Sequence, residues 1–554
     1  MLPKSLRALP LLILPLTAGH ASAAVKLPAI FGDHMVLQQG ADIPVWGTAA
    51  AGEKVTVALA SRQLATTADA TGRWIVRFPA AKAGSQPLTL TVKGENSLTF
   101  EDVLIGEVWL ASGQSNIEFG IQKDAEAAET IRTATDSQIR MFFVPWATAL
   151  NPQTDLAATP KDSLNGKWQV CSPETMQAKW AWNGFSAVGY YFARDLRKAT
   201  GHPVGMIASY KGGTPAEAWT SIDGLKKIPA LAHHVADHDK LVADFPTKTA
   251  AFPQLKAEAD EKRKAAEAAW KQAADQAKTA GQPEPARPQI PSPPEPDGGF
   301  SGPGNNFNAM VAPLIPYAIR GVIWYQGESN GDNMEEAKEY STLFPTLIQD
   351  WRTRWNRGDF PFLYVQLACF KQHPKDAVEN APWPLVREAQ QKALALPNTG
   401  MASAVDVGDA NDIHPIHKRT VGQRLALAAR QIAYGEKIVA SGPEFQAMEI
   451  TGDKARITYK KPIAGGALII GAAPWAPGGE TPAPVTTLQG FAIAGDDQKF
   501  VTATAEIEKD GTVLLSAPQV PKPVAVRYNW ATNPTGNLYN PQQLPATPFR
   551  TDAW

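Results

Sequence analysis

"GEVWLASGQSNIEFG", residues 106–120, decides the fold. A strand-forming run, Val108 to Ala111, stops at the small polar turn Gly113-Gln114-Ser115-Asn116. A strand that ends this way and enters a helix is the opening unit of a parallel sheet with crossover helices. The same pattern recurs downstream. "VGMIASYKGG" (204–213) and "RGVIWYQGESN" (320–330) are apolar runs ending in Gly-rich polar turns, and "FPFLYVQLACF" (360–370) is another strand of the buried type. "SAVGYYFARDLRKAT" (186–200) and "IHKRTVGQRLALAARQIAY" (416–434) read as helices, the second with Val421, Leu425, Ala428 and Ile432 at helical spacing. Alternation of this kind predicts an α/β domain over 101–435 with helices on both faces of the sheet. Ligands then bind beyond the carboxyl ends of the strands, where Ser115 sits.

On either side the pattern turns to β. "IPVWG", "KVTVALA", "RWIVRFP" and "LTLTVKG" predict a small β-sandwich over 24–100, and "ARITYK", "ALIIGAA", "GTVLLSA" and "VAVRYNW" a second β domain over 436–554. Residues 225–298 interrupt the α/β pattern. The Ala/Glu/Lys-rich stretch 255–281 predicts an exposed helix or hairpin, and the Pro-rich 282–299 an extended or mobile tether.

The chain has 554 residues, enough for roughly two to four domains. Its formal net charge of −1 gives no electrostatic case for nucleic acid or an anionic membrane. Lys4 and Arg7, then an apolar run, then Ala21 to Ala23 spell an export signal over 1–23, so the protein is expected in the periplasm or secreted. No later segment is apolar enough to span a bilayer. Cys171 and Cys369 are the only cysteines, which excludes a disulfide scaffold and leaves a single pair or two free thiols. Most of the 16 Trp are packing residues, but some suit sugar stacking.

Ser115 alone is either turn chemistry or a nucleophile. The elbow G-x-S-x-G is incomplete, because Ile117 stands where its second glycine would be. A nucleophile needs a base held by a carboxylate. "DVGDANDIHPIHK" (406–418) supplies His414 in a polar loop with Asp406, Asp409 and Asp412 upstream. His233, His234 and His238 lie at the insertion. Gly212 and Gly213 offer a close backbone approach at one strand end, and Gln326, Glu328 and Asn330 offer polar side chains at another.

"VWLASGQSN", "SAVGYYFARDL", "KGGTPAEAW", "NAMVAPLIPYAIRGVIWYQGESN", "FPFLYVQLA", "LVREAQ" and "GDANDIHPIHKRTVGQRLAL", with "LQGFAIAGDDQKF" and the segment 523–552, together resemble the sialate O-acetylesterase family of the SGNH-hydrolase superfamily. The resemblance covers most of the chain outside 225–298. It implies a flavodoxin-like three-layer core and a serine esterase that removes O-acetyl groups from sugars with neither metal nor cofactor. By motif, Ser115 is the nucleophile, His414 the base and Gly213 an oxyanion donor along with Ser115. The superfamily's third block, G-x-N-D, is replaced here by "QGESN", so Gln326 is the first choice for the oxyanion amide and Asn330 the second. The acid three residues before the histidine is Asn411 here. That leaves Asp412, then Asp409, then a backbone carbonyl to orient the ring. Gln114, Asn116, Glu328, Asn330 and Arg387 are expected to touch the substrate, an O-acetylated sugar or glycan. Arg387 or Arg352 would meet a sialate carboxylate, and a xylan or xyloglucan ester is the alternative. A non-catalytic carbohydrate-binding protein is the rival of a different class.

Overall fold

The computed structural model describes residues 24–178, 180, 182–460, 467–472 and 485–554. The expected export segment lies outside them. Seven strands form the central sheet: β1 (Ser97–Gly113), β2 (Asp136–Phe143), β3 (Trp168–Cys171), β4 (Val204–Tyr210), β5 (Gly321–Tyr325), β6 (Phe362–Gln366) and β7 (Thr399–Ser403). Their order is β7-β6-β5-β1-β4-β2-β3, all parallel but for the antiparallel edge strand β3. On one side of β1 the chain lays down β2 and β3 and returns to set β4 between β1 and β2, then crosses to the other side with β5. The strand order therefore reverses at β1, which opens a crevice at its carboxyl end.

Five longer helices accompany the sheet: α1 (Ala187–Thr200), α2 (Ala232–Thr279), α3 (Met334–Trp355), α4 (Pro382–Lys392) and α5 (Lys418–Ile432). Trp109 of β1 packs edge-on against Phe192 of α1, and α1 packs against α5. Ser112, three residues along β1 and so on the other face, is in register with Trp324 of β5, which packs against Phe344 and Trp351 of α3. Helices thus cover both faces. The strands accordingly read as near-continuous apolar runs rather than alternating ones.

β1 is 17 residues long, and it crosses the expected junction at residue 100. Its first half pairs with Gly84–Lys93 and Val36–Gln38 of the N-terminal β unit, its second half with β4 and β5. One apolar core runs through both units. A separate core forms between the C-terminal sheets.

The 48-residue helix α2 is about 72 Å long at 1.5 Å per residue. Its outer part is an exposed arm. The Pro-rich segment does not hang free as a tether but runs back along this arm. The Trp270 indole N–H donates to the Pro285 carbonyl at 2.8 Å, and Arg287 forks onto Glu267. Composition alone suggested an unattached linker because neither partner residue is local to it.

Candidate active site

β1 delivers Gly113 to the crevice at φ +130°, a left-handed conformation that favours glycine. A Cβ there would lie 2.2 Å from the Tyr325 carbonyl oxygen, so only glycine lets β1 turn beside β5. Ser115 then opens a single helical turn, Ser115–Glu118. Its backbone N–H has no acceptor among the described residues, and neither has that of Gly213. Gly212 is packed against the serine: a Cβ on it would be 3.3 Å from Ser115 Cβ. Its N–H donates to the buried Glu118 carboxylate at 2.5 Å, which fixes the glycine loop below the serine. Burial pushes the Glu118 carboxyl above its ordinary range.

The structure brings Ser115 and His414 together across 299 residues, with Ser115 Oγ 2.9 Å from His414 Nε2. On the far side of the ring, Nδ1 is 3.2 Å from Asp412 Oδ1, which also accepts the His414 backbone N–H at 2.8 Å. The other two acids are engaged elsewhere. Asp409 accepts the Asn411 N–H, and Asp406 forms a buried two-pronged pair with Arg424. Trp182 meets the imidazole edge-on at 4.8 Å between centroids, and the Lys123 ammonium lies 4.2 Å over that indole. The His414 pKa is lowered, first by burial and then by the nearby Lys418 ammonium, while Asp412 opposes the shift.

The amide expectation needs revision. Gln326 is fully buried, and its NH₂ donates to the Thr214 carbonyl at 3.3 Å and to Asn330 Oδ1 at 2.7 Å. Both of its amide hydrogens are used inside the protein. Asn330 Oδ1 also accepts the Ala216 N–H, and Nδ2 donates to Glu217 at 3.0 Å, which leaves one amide hydrogen without an assigned acceptor.

Three residues expected to touch substrate are scaffold instead. Gln114, Asn116 and Glu328 are 3%, 1% and 4% exposed. Gln114 Oε1 accepts the N–H groups of Gly327 and Ser329, stapling the serine turn to the neighbouring loop. Asn116 Nδ2 donates to Glu328 at 2.5 Å and to the Ile413 carbonyl at 3.1 Å. Arg387 is also corrected. It is fully buried, and its guanidinium donates to the carbonyls of Leu367, Ala368, Ala531 and Thr532, tying the central sheet to the C-terminal unit. Arg352 is spent likewise on the carbonyls of Phe360 and Pro397.

Sequence reasoning missed Lys418. It opens α5, is fully buried, and donates to Asn116 Oδ1 at 2.5 Å. Burial pushes its ammonium down to about 7 and raises the Glu328 carboxyl close by. A lysine four residues after the histidine, at the first position of the following helix, was the available signal.

A family model for carbohydrate esterases described as sialic acid-specific acetylesterase matches residues 304–431. The sialate O-acetylesterase of Homo sapiens is 28% identical over 484 residues, covering 82% of this chain and 80% of the relative. That of Rattus norvegicus is 28% identical over 496 residues, covering 83% and 84%. The crystal structure of a carbohydrate acetylesterase from Xanthomonas citri superposes with a TM-score of 0.74 at 35% identity, over 96% of this chain and 100% of that one. Fold and crevice therefore define a carboxylic ester hydrolase with an SGNH-type α/β core. Within that class the chain belongs to the carbohydrate acetylesterases, and along most of its length it is similar to the sialate O-acetylesterases.

Proposed function

We propose that the protein deacetylates O-acetylated carbohydrates by passing the acetyl group through Ser115 to water. The 2.9 Å contact between Ser115 Oγ and His414 Nε2 carries this reading. His414 takes the hydroxyl proton as Oγ attacks the acetyl carbonyl. The oxyanion is met by the free N–H groups of Ser115 and Gly213 and by the Asn330 amide. Collapse expels the sugar hydroxyl, which takes its proton from His414. Water then attacks the acetyl-serine by the same route and releases acetate and free Ser115.

Asp412 is the group that holds the imidazole. Its side chain is 61% exposed, so it acts through a solvent-screened contact rather than as a buried acid. For the sugar we propose sialate first, because the curated relatives act on it. With Arg387 and Arg352 spent on carbonyls, the positive charge for a sialate carboxylate falls to Lys123 and Lys211. Lys211 lies 3.5 Å over the ring of Trp146, which is 38% exposed and suits stacking on a sugar face. Among the described residues no helix is long and apolar enough to cross a membrane. Lys4, Arg7 and the Ala21–Ala23 motif support export.

The test is acetate release from 9-O-acetylated sialic acid, acetylated xyloglucan and acetylated xylan, in parallel, with Ser115→Ala as control. Serine-dependent release from sialate alone supports the full reading. Preference for a plant polymer keeps the mechanism and replaces the substrate. No serine-dependent release from any of them overturns the reading.

A further inference from the structure

Away from the crevice, at the root of the arm, His233, His234 and Glu339 bring their ligand atoms within 4.8 Å of one another. His234 Nε2 is 2.6 Å from one Glu339 oxygen and His233 Nε2 is 3.2 Å from the other. The two rings lie 4.0 Å apart between centroids. Neighbouring residues on a helix project about 100° apart, so a histidine pair normally faces two directions. Here both rings bend to one carboxylate. A simple ion pair needs only one of them, and two imidazolium rings at this distance would repel. As neutral rings they offer two nitrogen lone pairs beside a carboxylate. That donor set suits a zinc-like ion, with the remaining positions open to water.

We infer that His233, His234 and Glu339 form a binding site for a divalent transition-metal cation of the zinc class, fastening α2 to α3. The site has an entry path, because the His233 side chain is 53% exposed, and an anchored wall, because that of His234 is 11% exposed. His238, one turn along, lies outside this cluster, with its Nε2 3.0 Å from the Leu150 carbonyl oxygen. Behind the site lies Glu217, a half-buried carboxylate that accepts from Asn330 Nδ2 at 3.0 Å. An ion here therefore joins the arm to the neighbourhood of the crevice without entering it.

The test uses Co²⁺ as a spectroscopic probe on the untagged full chain, stripped with chelator. One equivalent is expected to bind with ligand-field absorption and to be displaced by Zn²⁺. His233→Ala and Glu339→Gln each remove a direct ligand, so each should weaken binding by more than the ~10–100-fold typical of losing a supporting partner. Saturating Zn²⁺ should raise the melting temperature of the wild type and not of His233→Ala. Failure to bind one equivalent, or equal affinity in wild type and both variants, overturns the site. Should Glu339→Gln misfold, the half-exposed His233→Ala decides alone. Ser115→Ala should leave the titration unchanged, so this site and the esterase reading fail separately.

Discussion

Asn116, the residue after the serine, donates its side-chain amide to the carbonyl of Ile413, the residue before the histidine. The same side chain accepts from Lys418 and donates to Glu328. One buried asparagine thus sets the spacing of the Ser115–His414 pair. Its bond from Lys418 is charge-assisted, a kind that contributes about 1.5–3 kcal/mol. Asn116→Ala is expected to lower kcat by about 10²-fold through misplacement of the imidazole. KM should change little. A variant in which KM rises and kcat holds would make Asn116 a substrate contact after all.

Ser115→Ala should cost about 10⁶ in turnover if serine and histidine act as a unit. Asp412→Asn should cost far less than the ~10⁴ seen for a buried triad acid, because its carboxylate is largely in water. Steady-state rates on an acetyl ester check both. Equal losses in the two variants would mean the exposed acid does more than its setting allows.

The pH profile separates the neighbours of His414. The base acts as neutral imidazole, so kcat/KM falls as pH drops through its pKa. Lys418 lowers that pKa and Asp412 raises it. Lys418→Met should therefore move the acid limb to higher pH, and Asp412→Asn should move it lower. Shifts in the same direction would refute the assignment of these charges.

Lys418 also links pH to stability. Its ammonium is held at about 7 in the fold against 10.5 ordinarily. Between those values the unfolded chain binds more protons, so this group's contribution to stability rises with pH across that window. The melting temperature of wild type minus that of Lys418→Met should grow from pH 7 to pH 10. A flat difference would show that the ammonium is not perturbed.

Asn330→Ala is expected to lower kcat by about 10²–10³, the cost of an oxyanion donor. Gln326→Met should cost less, since both Gln326 amide hydrogens are spent on the Thr214 carbonyl and on Asn330 Oδ1. The reverse ranking would restore Gln326 to the hole.

The α/β core and the pairing of Ser115 with His414 were legible because strand-end turns and an acid-rich loop are local patterns. Side-chain direction was not. Gln326, Glu328, Asn116 and Gln114 all sit at strand ends and read as groups for a ligand, yet they bond protein groups instead: Asn116 to Glu328 and the Ile413 carbonyl, Gln114 to the Gly327 and Ser329 N–H groups, and Gln326 to Thr214 and Asn330. Arg387 looked like a carboxylate binder, but its partners at Ala531 and Thr532 are more than 140 residues away. Lys418 went unnoticed because a lysine opening a helix usually faces solvent. Its burial follows from the packing of three separate loops.

The 17-residue strand that ends at Gly113 has a practical meaning for anyone trimming or fusing this protein. At about 3.3 Å per residue its length is at most roughly 56 Å, with an irregularity at Asp102 (φ +54°), the N-terminal β unit gripping one end and the serine turn at the other. A shortened chain beginning at residue 101 would strip the strands that pair with Val103, Leu104 and Ile105 and leave a bare apolar edge. What looks like a detachable accessory is the handle that steadies the catalytic end.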